Sequence, residues 1–255
     1  MILKTGIKKL FLFSVIIFTV AVLLPSCDAQ RKLNEALGRA EYLKELNLSY
    51  GRLEHLDPRI SRFKHLESLN LFKNRLQYIP PEIGELSNLK TLILSSNRID
   101  SLPKEIGHLT QLRVLSLKHN RIRHLPQEIG MLKNMVELDL ENNRLSSLPD
   151  EIGYLQALEF LSLKGNELTE INPEIGKLQS LQILNIGKNR LNELPEEIAL
   201  LQNLIQLNIA YCGIIRVPDF IYKLRNLEYL FVDENTLVPF GLKAFNPNLR
   251  IIIEK

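Results

Sequence analysis

A period of 23 residues constrains this chain more than any other feature. Asparagines stand at Asn74, Asn97, Asn120, Asn143, Asn166 and Asn189, each 23 residues from the next. The same count reaches Gly51 before them and Cys212 and Asn235 after them. Three residues before each lies an aliphatic residue, Leu117 before Asn120 and Ile186 before Asn189 among them. A fixed period of this size means stacked supersecondary units, not one compact core.

One unit, Leu112 to Asn134, shows why. Leu115 and Leu117 alternate with Val114, Ser116 and Lys118, the period of two of a short half-buried strand. Stacked copies predict a parallel sheet with strands about 4.8 Å apart. Asn120 stands where the chain turns out of the strand, where an amide can serve backbone groups that the turn leaves unpaired. Repetition predicts a ladder of Asn74, Asn97, Asn120, Asn143, Asn166, Asn189, Cys212 and Asn235. Pro126 marks the start of a helical return segment, with Glu128 in its first turn. Ile129 and Leu132 point inward together, and Gly130 permits close approach to the next unit. No unit can bury its apolar face alone, so stability comes from stacking.

The unit reads LxxLxLxxNxL followed by xxLPxxIGxLxx, and it resembles the leucine-rich repeat. Nine copies begin at Leu43, Leu66, Leu89, Leu112, Met135, Leu158, Leu181, Leu204 and Leu227. The 23-residue LPxEIGxL type is similar to that of Shoc-2 and plant Ras-group-related proteins, and of many bacterial surface proteins. The resemblance implies an α/β solenoid: a curved right-handed β-α superhelix with a parallel sheet on its concave face. It also implies a non-enzymatic protein that binds another macromolecule.

The ends differ from the middle. Lys4, Lys8 and Lys9 precede an apolar run from Leu10 to Leu24. Its fifteen residues fall short of the roughly 20 that span a bilayer. A basic start, a short apolar core and small residues after it form an export signal, assigned to residues 1–29. Leu24-Pro25-Ser26-Cys27 resembles a bacterial lipobox that would leave Cys27 lipidated. The alternatives are ordinary signal-peptidase cleavage near Cys27 and Ala29, or an uncleaved anchor. Residues 30–42 read as an N-terminal capping helix, with Leu33, Ala36, Leu37 and Ala40 at helical spacing. Residues 43–255 form the repeat domain. Near its end Leu249 replaces an expected leucine at position 250, so the register slips by one. Ile251 to Ile253 reads as a last strand, with Glu254 and Lys255 blunting its edge.

Charge excludes one class of partner. The formal net charge is +3, but without Lys4, Lys8 and Lys9 the 32 basic residues fall to 29, equal to the 29 acidic ones. Nucleic acid is therefore not an expected partner. No nucleophile, phosphate or metal motif is present, and the five histidines form no ligand cluster. Neither a catalytic residue, nor a metal, nor a cofactor is assigned.

Two surface arrays remain. Arg52, Arg75, Arg98, Arg121, Arg144 and Arg190 each follow the repeat asparagine position, as a solvated rim or an anion site. The second array flanks the inward leucines of the strands: Ile93, Val114, Glu137, Asp139, Phe160, Ile183, Tyr229 and Phe231. Apolar and aromatic residues on an open sheet face mark a partner site. The expectation is a monomer without enzymatic activity, exported and either lipid-anchored to a bacterial envelope through Cys27 or secreted, that binds a protein on this face. The alternative is an intracellular signalling scaffold resembling Ras-binding leucine-rich repeat proteins.

Overall fold

The computed structural model describes residues 29–214, 216–242 and 246–255. Residues 1–28, with Cys27 and the export signal, lie outside the described residues. The chain opens on α1 (Ala29–Leu37) and continues through ten strands. These are β1 (Glu45–Asn47), β2 (Ser68–Asn70), β3 (Thr91–Ile93), β4 (Val114–Ser116) and β5 (Glu137–Asp139). They continue as β6 (Phe160–Ser162), β7 (Ile183–Asn185), β8 (Gln206–Asn208), β9 (Tyr229–Asp233) and β10 (Arg250–Glu254). All ten pair in sequence order in one open parallel sheet, a leucine-rich repeat solenoid. From β1 to β9 each residue pairs with the one 23 further on, as Leu115 does with Leu138.

The core runs the length of the solenoid because each strand contributes the same inward positions. In β4, Leu115 is wholly buried while Val114 and Ser116 are half-buried. Leu117, Ile122, Ile129 and Leu132 of the same unit are also wholly buried. Each such side chain contributes roughly 1.5–3 kcal/mol when removed from water. At the N-terminal end, α1 covers the first unit with Ala29, Leu33, Ala36 and Leu37. Gly51 is required there, since a Cβ on it would stand 2.0 Å from the Ala29 Cβ.

The return segments are not α-helices as expected but 3-10 turns of five residues, such as Gln127–Met131. Packing explains the difference. An α-helix with its side chains is about 10 Å wide or more, while strands advance only about 4.8 Å. The turns accordingly stack backbone to backbone, and a Cβ on Gly130 would meet the Glu151 carbonyl oxygen at 2.7 Å. Pro126 caps its turn from outside in an extended conformation. Where proline comes one residue late, Pro58 and Pro173 enter the turn itself. Asp57 and Asn172 then cap it, accepting from the Arg59 and Glu174 N–H groups at 2.9 Å.

The turn out of each strand has a fixed backbone. Tyr50, Lys73, Ser96, His119, Asn142, Lys188 and Tyr211 all have φ between 53° and 59°. Only the sixth unit uses glycine there, Gly165. Left-handed backbone costs a non-glycine residue about 1 kcal/mol or more. Side-chain hydrogen bonds from the next residue offset that cost. Asn120 donates Nδ2 to the Leu94 and Leu117 carbonyls at 3.0 and 2.8 Å, and Oδ1 accepts the Ile99 N–H at 3.0 Å. Asn74, Asn97, Asn143, Asn166 and Asn189 repeat this pattern and are 7–9% exposed.

The last units depart from it. Cys212 is wholly buried, and its Sγ donates to the Ile209 carbonyl at 2.7 Å. The Leu191 N–H, with no amide oxygen to meet, goes to the Cys212 backbone carbonyl at 2.6 Å. Asn235 is not a ladder residue: its side chain is exposed, and its N–H donates to Asp233. The reason is β9, which runs five residues to pair with all of β10 and so delays the turn. Thr236 lies inside instead, its hydroxyl donating to the Ile214 carbonyl. Arg250 pairs with Tyr229, so the register shortens by two residues, not one. Glu254 does not blunt the edge either, because its carboxylate turns onto the sheet face, and Ile253 is 59% exposed.

Candidate functional site

The strand register sorts the expected partner residues into two rows across one face. Val114, Glu137, Phe160, Ile183, Gln206 and Tyr229 pair in one row. Ile93, Ser116, Asp139, Ser162, Asn185, Asn208 and Phe231 pair in the other. Period-two alternation puts both rows on the side away from the leucine core. Ile93, Val114, Phe160, Tyr229 and Phe231 are half-buried, as are Glu137 and Asp139. Ile183 departs from the expected open position, being only 8% exposed.

The centre of the face is acidic. Burial first, and the charge of Asp139 second, push the Glu137 carboxyl up to about 7. Burial also raises Asp139, against the pull of its hydrogen bond from the Glu141 N–H and of Lys118 and His119. Lys118 is engaged with Glu141 at 2.6 Å. Lys164, one unit on from Glu141, pairs its ammonium with Glu254 at 3.5 Å. Glu254 also accepts from the Asn208 Nδ2 at 2.8 Å, and its backbone carbonyl accepts from the Tyr211 hydroxyl. Four strand spacings separate β6 from β10, about 19 Å along a flat sheet. The Lys164–Glu254 contact therefore requires the sheet to bend toward this face.

Two polar atoms at the centre have no partner among the described residues. The Ser162 hydroxyl belongs to a residue only 1% exposed, and neither it nor the buried Asn185 Oδ1 makes a hydrogen bond. Ser95 and Ser116, in comparison, bond each other at 2.6 Å. Ser162 stands 23 residues after Asp139, so the period contained its position but not its isolation.

The arginine row lies along the edge next to this face, and all six side chains are exposed. At its N-terminal end Tyr50, Arg52, Lys73, Arg75, Ser96 and Arg98 line a shallow groove. Lys73 stands over the Tyr50 ring at 5.2 Å, and Arg75 reaches Glu54 only at 4.0 Å. On the opposite edge is a second ladder that sequence reasoning missed. Asn88, Asn134, Asn203 and Asn226 each donate to a carbonyl 24 residues earlier, as does the Ser180 hydroxyl. Gln111 and Ala157 interrupt its spacing, which hid the signal. Among the described residues no group of three or more His, Cys, Asp or Glu could hold a metal ion, and no helix is long and apolar enough to cross a membrane.

A family described as "Leucine-rich repeat region" matches residues 103–186 and 174–246, and one described as "Leucine rich repeat" matches 41–99 and 64–122. No curated protein matches the chain. Among solved structures, a leucine-rich repeat protein of Leptospira interrogans is similar at 32% identity and TM-score 0.65, over 83% of this chain and 60% of its own. The plant peptide hormone receptor RGFR1, in complex with RGF2, is similar at 29% identity and TM-score 0.72, over 83% of this chain and 39% of its own. A TDR receptor is similar at 25% identity and TM-score 0.74, over 87% of this chain and 45% of its own. This chain thus spans less than two thirds of each. Proteins of this fold commonly bind other proteins and typically act as scaffolds without catalysis. Matched from residue 41 to residue 246, with a 23-residue register from β1 to β9, the chain belongs to the leucine-rich repeat family.

Proposed function

We propose that this protein binds a protein partner on the bent face of its sheet and catalyses nothing itself. The observation that carries the reading is the pair of register rows. They hold Val114, Phe160, Ile93, Tyr229 and Phe231 half-exposed around the carboxylates of Glu137 and Asp139. Apolar and aromatic anchors around a charged centre suit a specific protein surface better than a lipid or a polyanion. The similar plant receptor, whose structure holds RGF2, supports a peptide or protein ligand. Within the family, the LPxEIGxL repeat supports kinship with bacterial leucine-rich repeat proteins, as does the similar Leptospira protein.

Truncation tests the face. Phe160→Ala should weaken partner binding by about 2 kcal/mol while the melting temperature changes little. Arg98→Ala and Arg121→Ala on the rim should change affinity by under about 1 kcal/mol. Ile183→Ala is a poor binding probe, since that buried side chain would leave a cavity. The measurement is titration calorimetry against the partner recovered by crosslinking. Loss of binding in the arginine variants, with Phe160→Ala unaffected, would move the site to the rim.

We further propose export and lipid anchoring through Cys27, supported by the basic and apolar start of the sequence. Mass spectrometry of the native protein should find a lipid-modified Cys27 at the N-terminus, and Cys27→Ala should release the protein from membranes. An intact Met1 on a cytosolic protein would overturn this localisation.

A further inference from the structure

We propose that Glu137, Asp139, Ser162 and Asn185 form a seat for one cationic side chain, a lysine or arginine, presented by the protein partner. The proposal rests on the binding reading of this face and adds the chemistry of what is bound.

Three observations meet at the seat. The first is geometry. Glu137 and Asp139 lie two residues apart on β5, so both project from the same face. Asp139 pairs across to Ser162, and Ser162 to Asn185, which sets acceptors side by side on three adjacent strands.

The second is the surrounding charge. No cation among the described residues forms an ion pair with Glu137 or Asp139. Lys118 and His119 follow β4, and Lys118 is held by Glu141. Lys164 follows β6 and is held by Glu254. Arg113 and Glu159, just before β4 and β6, fall on the other side of the pleat. Val114 and Phe160 flank Glu137 in register and thin the water around it. Two partly desolvated carboxylates outside any salt bridge among the described residues gain from a cation supplied from outside.

The third is independent of charge. The Ser162 hydroxyl is fully enclosed and bonds nothing, and the Asn185 Oδ1 beside it is likewise unpartnered. Buried polar atoms are ordinarily satisfied. Both can accept N–H donors once the side chains over them shift, whereas the half-exposed carboxylates can accept at once. An ammonium offers three donors and a guanidinium five, all without an acceptor.

A pH dependence follows. A bound cation favours ionised Glu137, whose carboxyl otherwise holds its proton up to about 7. Binding should therefore release a proton near neutral pH and tighten by about tenfold from about pH 6 to about pH 8.

The test is selection of short random peptides on the full chain at about pH 8. Selected peptides should share a lysine or arginine. A representative one should bind Glu137→Gln and Asp139→Asn at least about tenfold more weakly, with the pH dependence lost in Glu137→Gln. Glu170→Gln, a substitution of an exposed residue outside the two rows, controls for loss of net charge and should bind normally. Melting temperatures of the two seat variants should hold or rise, which separates lost recognition from lost structure. Peptides that lose binding to Phe160→Ala but not to Glu137→Gln or Asp139→Asn would overturn the seat and leave the face as the binding surface. Peptides indifferent to Phe160→Ala and both seat variants, or none selected at all, would count against the face and the seat together.

Discussion

At Asn120 an amide makes three strong hydrogen bonds, linking its own turn to the carbonyl and the N–H of the preceding unit. At Cys212, four units on, a thiol makes one bond of its own, to Ile209, and the backbone takes over the link to Leu191. The stacked 3-10 turns follow the same division. Gly84, Gly107, Gly130, Gly153 and Gly176 meet the next turn at backbone distance. Ala199 occupies that slot one unit later with a buried methyl, and Tyr222 one unit after that. The middle of the solenoid is thus closed by side-chain amides and absent side chains, whereas at the C-terminal end the backbone and larger side chains take those places. A repeat position matters in proportion to how closely its neighbours stack, not in proportion to its match to the pattern.

Substitutions in the two regions break or sharpen this contrast. Asn120→Ala strands the Ile99 N–H in the core and takes one of two amide donors from each of the Leu94 and Leu117 carbonyls, which keep Asn97 and Asn143, and should cost about 1–3 kcal/mol in denaturant melts. Asn235→Ala, at an exposed side chain, should cost under about 0.5 kcal/mol. Equal losses would show that the amide ladder is not what holds the middle units. Gly130→Ala should cost about 1–3 kcal/mol, because its Cβ meets the Glu151 backbone at 2.7 Å. Ala199→Gly should change stability by no more than about 1 kcal/mol. A neutral Gly130→Ala would mean that the turns can separate as freely in the middle as at the end.

Glu137 gives a contrast in pH. Its carboxyl holds a proton up to about 7 when folded and only to about 4.5 when unfolded. The folded state binds more protons between those values, so stability falls as pH rises through that window. Glu137→Gln removes the cost of burying the charge and should stabilise the protein by about 1–2 kcal/mol at about pH 8, the figure reduced for partial exposure. Urea melts at about pH 5 and pH 8 would read it, and a variant with the unchanged protein's slope would refute it. The smallest effect concerns Cys212, whose thiol burial pushes up to about 11. Peptide mapping after iodoacetamide should find Cys212 modified only in unfolded protein.

Much of the fold was legible because a solenoid repeats its local rules. The 23-residue count placed the strands, the inward leucines and the core, since each unit touches chiefly its neighbours. The same regularity misled where the contacts are not local. Asn235 keeps the spacing of Asn120, yet β10 pairs along all of β9 and draws the turn away from it. The expected helices became 3-10 turns because strand spacing limits their width, a constraint invisible in any single unit.

For the candidate site, the period by itself determined which residues share the face and in what order, because alternation along a strand and pairing between strands are both fixed by counting. Only the tertiary structure decided the electrostatics of that face. The bend of the sheet brings Glu254 to Lys164, and Glu141 holds Lys118, which leaves Glu137 and Asp139 outside any salt bridge among the described residues. Packing closes over Ser162 and Ile183 but leaves Phe160 half-open. Those outcomes depend on distances between units far apart in the chain, and a repeat motif carries no information about distances that it does not repeat.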